Sequence, residues 1–160
     1  MLNALMPWID NWSSLYSNSA ALRTGLAFAH IAGLVASGGS AIAADRATLV
    51  AWRRDAASRL AHVRVLHGTH RTVVIGLTVV SLSGVLLLAA DLDTYLHSTA
   101  FWIKMALIAA LIVNGGVLVR AGRRAQAGHQ RAWAWLGYGS IVSLLLWGLT
   151  TLLGAALPNV

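Results

Sequence analysis

Four apolar stretches organise the chain, over about residues 20–44, 72–90, 99–119 and 132–157. Each approaches or exceeds the roughly 20 residues a helix needs to cross a bilayer. Charge or a helix breaker bounds them: Asp45 and Arg46, Asp91 and Asp93, Arg120, and Pro158. The strands of a membrane barrel would be shorter and would alternate polar with apolar residues. The pattern therefore predicts helices, which satisfy their own backbone hydrogen bonds in lipid. The expected fold is all-α, an integral membrane four-helix bundle forming one domain over residues 1–160.

Two amphipathic segments accompany the spans. Leu2, Leu5, Met6, Ile9, Trp12, Leu15 and Tyr16 share helical spacing. They predict a short interfacial helix on the outer leaflet, with Pro7 in its first turn. Residues 45–66 mix arginines with Leu49, Trp52, Leu60, Val63 and Leu66, which predicts a cytoplasmic amphipathic helix leading into the second span. The first segment lacks a basic start and a continuous apolar run, so it does not read as a cleavable signal.

Composition narrows the chemistry. The chain is 58% hydrophobic and 11% charged, whereas a soluble domain carries about a quarter charged residues. It has no cysteine, which excludes disulfides and thiolate metal sites, and no glutamate and only five aspartates, which argues against calcium or di-iron carboxylate centres. The net charge of +7 and pI near 11.4 would suggest nucleic acid in a soluble domain. Here ten of the twelve basic residues fall in the connections after spans one and three. By the positive-inside rule that side is cytoplasmic, and both termini lie on the opposite side. The charge then reads as a topology signal and an attraction to membrane lipids, not as a nucleic-acid surface.

Span one carries small residues every fourth position, at Gly25, Ala29, Gly33 and Ser37; span four offers Gly137, Gly139, Ser140 and Ser143. Such faces let helix backbones approach closely. They predict tight packing, contacts with other membrane subunits or a second copy, or room for a flat prosthetic group. Ionisable groups within the spans are candidates for function. His30 lies seven residues past Arg23, about 10 Å deep by helix rise. His67 and His70, followed by Arg71, open span two; His129 belongs to the same side, and His97 precedes span three. Lys104 lies inside span three. It is expected to snorkel outward, to pair with Asp91 or Asp93, or to meet a haem propionate.

Haem ligation by two histidines needs different helices at matching depth. His30 and His70 lie on opposite halves of the membrane, about 20 Å apart by helix rise. His67 or His70 matches His129 in depth, and His30 shares the outer half with His97.

His30 with Gly33, His70-Arg71, the run Ser83 to Leu87, Phe101 with Lys104, and Asn114 occur together. This set resembles small bacterial inner-membrane proteins of the copper-resistance CopD-domain and cytochrome b561-like type, across residues 23–120. The resemblance implies a four-helix bundle in the bacterial inner membrane that binds haem b or copper. His30 and His70 are then the candidate iron or copper ligands, and Arg71 and Lys104 the candidate propionate partners. Three functions follow as expectations: a b-type haem protein or subunit in electron transfer, a non-catalytic accessory subunit of a larger membrane complex, or a copper-handling protein. No nucleophile–base constellation or carboxylate pair suggests an enzyme working through its own side chains.

Overall fold

The computed structural model describes residues 2–156. It is all-helical, with α1 over Leu2–Asn18, α2 over Ala20–Trp52, α3 over Ala56–Ala90, α4 over Leu92–His97, α5 over Thr99–Gln126 and α6 over Ala132–Ala156. Four of these helices are long and apolar enough to cross a membrane: α2, α3 from Gly68 onward, α5 and α6. The expected end of span four at residue 157 lies outside the described residues.

Local chemistry sets the breaks. The hydroxyl of Ser19 accepts from the Leu22 amide at 3.3 Å and starts α2. The Asp55 carboxylate accepts from the Ser58 amide at 2.9 Å and starts α3; these hydrogen bonds from Ser58 hold the Asp55 carboxyl below its ordinary pKa. Ser98 caps α5 through the Phe101 amide at 3.4 Å. Each side chain satisfies one amide that a helix start leaves without a partner. Gly128, with φ of 87°, turns the chain from α5 to α6 in a left-handed conformation that glycine adopts without steric cost.

Two expectations change. Residues 45–66 do not form one helix. Span one continues to Trp52, and α3 begins at Ala56, because the Asp55 cap interrupts the apolar pattern at residues 53–55. The apolar positions on either side of that corner face each other instead. Ala51 and Val63 share one buried cluster with Ala121, Ala125, Ala132, Trp133 and Leu136. Pro7 lies inside α1 and not in its first turn, since that helix already starts at Leu2.

α1 is tied to the far end of α3. Trp12 donates to the Leu86 carbonyl at 2.9 Å, and Ser13 donates to the Ala90 carbonyl at 2.8 Å. Ala90 ends α3, so its carbonyl has no intrahelical donor and Ser13 supplies one. Arg23 donates to the Tyr16 carbonyl at 3.4 Å and to that of Ser17, closing the end of α1.

The long helices pack in the order α3, α2, α6, α5, with only sparse contact between α3 and α5. Much of the small-residue faces is consumed within this order, though Gly25 stays open. A Cβ added at Gly76 of α3 would stand 2.8 Å from the Ser37 backbone nitrogen of α2. One added at Gly33 would stand 2.9 Å from a Val80 methyl. Gly38 of α2 lies under the Trp147 ring, and Gly137 of α6 lies under the Trp52 ring. Asn114 of α5 donates to the Gly139 carbonyl of α6 at 3.0 Å. Phe28, Val35, Val85, Ile112, Leu145 and Leu152 remain exposed, as side chains facing lipid do.

Candidate intramembrane polar site

His30 faces α3. Its Nδ1 lies 3.0 Å from the Ser83 hydroxyl, which is itself buried. The Ser83 hydroxyl also reaches the carbonyls of its own helix, Val79 at 2.6 Å and Val80 at 3.2 Å. With its proton on either of these, the Ser83 oxygen accepts from His30 Nδ1–H and Nε2 keeps a lone pair. Gly84 makes room for the ring: a Cβ there would stand 3.3 Å from His30 Cε1. Ser83 lies seven residues before the end of α3, about 10 Å along the helix.

The other half of the site comes from α5 and α6. Lys104 lies along Gly154, whose added Cβ would meet Lys104 Nζ at 3.3 Å. Its positive charge acts on the His30 ring. One turn before Gly154, Thr150 is buried with its hydroxyl unpartnered. All four spans thus bring a polar group or a clearance glycine to one half of the bundle. Lys104 pairs with neither Asp91 nor Asp93. Among the described residues the one ion pair joins His97 to Asp93 at 3.9 Å, at the exposed tip of α4.

The remaining sequence candidates do not join this cluster. His70 and Arg71 are exposed on α3, and the side chain of His67 is outside the described residues. His97 donates back to the Asp93 carbonyl at 2.8 Å. His129 donates to the Arg124 carbonyl at 3.2 Å in the α5–α6 turn. No contact brings His70 to His129 or His30 to His97. His62, near the start of α3, bonds Thr48 across the helix pair at 2.8 Å. Burial lowers its pKa from the ordinary value of 6.5.

Asp45, the charged limit of span one in the sequence pattern, is buried where α2 packs on α6. Its carboxyl faces Ser140 and Ser143. Its Oδ2 and the Ser140 hydroxyl have no hydrogen-bond partner. The signal was present: Asp45 continues the every-fourth-residue face of Gly33, Ser37 and Ala41.

The donors offered to a haem or a metal ion are few. His30 Nε2 suits one axial position, and the Ser83 hydroxyl on Nδ1 stands where a ligating histidine usually has a carboxylate, carbonyl or water. Lys104 suits one propionate. The α2 stripe that could have housed a flat group is filled by Gly76, Val79 and Val80 of α3. Among the described residues no three His, Cys, Asp or Glu side chains converge as a metal site would require. No protein-family model, curated protein or solved structure matches the chain.

Proposed function

We propose that this chain is a membrane-embedded b-type haem protein or small subunit of an electron-transfer system, with His30 as axial ligand. The observation that carries this reading is the hydrogen bond that holds His30 Nδ1 on the buried Ser83 hydroxyl inside the bundle and leaves Nε2 as the ring nitrogen not engaged by Ser83. In this reading Ser83 orients the imidazole, Gly84 leaves space for it, and Lys104 provides the counter-charge for a propionate. When bound, the haem supplies a one-electron couple whose potential the axial ligand and its hydrogen bond tune. The protein would sit in the bacterial inner membrane with its arginine-rich end in the cytoplasm and both termini outside.

The test is an optical spectrum of detergent-purified protein, oxidised and then reduced with dithionite. A Soret band with sharp reduced α and β bands, lost in His30→Ala, is the expected result. A featureless spectrum from haem-replete cells would overturn it. The same nitrogen is open to copper, and a metal-loaded protein without a Soret band would favour that assignment.

A second reading, an accessory subunit without a cofactor, is favoured by the way Gly33, Gly38 and Gly76 are filled by neighbouring side chains and backbone. It expects His30→Ala to leave both the fold and partner co-purification intact.

A further inference from the structure

A separate site lies at the arginine-rich end, where α3 begins and the α5–α6 turn folds back against it. A cleft of about 80 Å³ opens there, lined by Ala56, Arg59, Ala125, Gly128, His129 and Trp133. Arg59 is fixed in place. Its Nη2 donates to the Trp52 carbonyl at 2.6 Å, and its guanidinium carbon sits 5.7 Å from the centre of the Trp133 ring. Its Nε is buried without a hydrogen-bond partner.

The charge on Arg59 is only partly balanced. Among the described residues no carboxylate oxygen lies within 4.0 Å of it. Asp55 feels its charge together with that of Arg54, but is itself fully exposed. Two features join Arg59 in the cleft. The first turn of α3 begins at Ala56 in the cleft wall, where a helix start carries partial positive charge, and the capping Asp55 carboxylate takes only the Ser58 amide of that turn. His129 lines the same cleft, with its Nδ1 donating to the Arg124 carbonyl. Trp52, Trp133, Trp135 and Tyr138 gather at this end, as aromatic residues do at the headgroup level of a membrane.

We propose that this cleft binds a phosphate group, anchored by Arg59 and completed by the start of α3 and by His129. A guanidinium held on two sides presents its remaining donors in the planar fork that matches phosphate oxygens. The phosphate belongs either to an anionic lipid headgroup or to a soluble phosphate compound, and both offer the same oxygens to the cleft.

The experiment measures lipid retention by native mass spectrometry, and thermal shift, on the full chain in detergent. The probes are phosphatidylglycerol, phosphatidylcholine and inorganic phosphate. Retention and stabilisation by phosphatidylglycerol but not phosphatidylcholine supports the headgroup source. An equal shift with millimolar inorganic phosphate supports the soluble source. In either case Arg59→Gln should weaken binding about tenfold or more, the worth of one charged hydrogen bond. Arg53→Gln, exposed and outside the cleft, should change it far less. Should Arg59→Gln fail to fold, Arg59→Lys and His129→Gln give the same reading, each weakening binding more than Arg53→Gln does. Equal loss in the cleft and Arg53 variants would overturn the proposal. So would equal retention of the two lipids with inorganic phosphate inert.

Discussion

At the arginine-rich end, Ala51, Val63, Ala121, Ala125, Trp133 and Leu136 bury one another. Nearer to α4, the groups turned inward include His30, Ser83 and Lys104, and the helices touch through glycines. The two halves associate by different means. At the arginine-rich end apolar side chains fill a core, an arrangement favoured wherever water reaches. Within hydrocarbon, lipid solvates a leucine as well as a neighbouring helix does. Association there depends on close backbone approach and interhelical hydrogen bonds. One chain thus shows both regimes along the same helices.

Breaking the apolar core should cost most. Leu136 is 1% exposed, and Leu136→Ala should lower stability by about 3 kcal/mol through the cavity it leaves. Unfolding in mixed micelles reads this directly. A loss well under about 1 kcal/mol would show that the end is not held by that core. Breaking the backbone crossing should cost somewhat less. Gly76→Ala forces a methyl against the Ser37 backbone, an overpacking worth about 2 kcal/mol. If this substitution is tolerated, the α2–α3 crossing is looser than the contact implies.

Two smaller effects sharpen the contrast. Asp45→Asn keeps the side-chain shape and supplies a donor toward Ser140, so its cost should stay below about 1 kcal/mol and its sign can be favourable. A large destabilisation would mean that the carboxyl itself is in use. His62 tests the same end by pH. Its folded pKa is lowered, so the unfolded chain takes up a proton first as pH falls. Stability is full above 6.5 and declines as pH drops from 6.5 toward the folded value. His62→Gln should flatten that decline in a melting-temperature profile, the smallest effect of the four.

The four spans were legible because each is an unbroken apolar run, and His30 stood out as an ionisable group deep within one. Helix ends were less legible. Asp45 and Arg46 looked like a boundary, yet Ser140 and Ser143 of α6 receive Asp45 inside the bundle, and no sequence period reveals which helix that will be. Gly33 announced a close contact but not its partner, Gly76. The partner of His30 was equally hidden, since Ser83 is one of two serines in its span and nothing in the period selects it over Ser81. The Arg59 cleft joins residues far apart in the chain, so only the fold assembles it.

The overhang of α2 has a further consequence. Its 33 residues make a rod of about 50 Å, against a hydrocarbon layer of about 30 Å. The excess is welded to α3, α5 and α6 by contacts that need no lipid. Hydrophobic mismatch therefore falls on the opposite half, where glycine crossings and hydrogen bonds join the helices. A thinner or thicker bilayer would be met by adjustment there, while the arginine-rich end keeps its shape, and with it the register of all four helices.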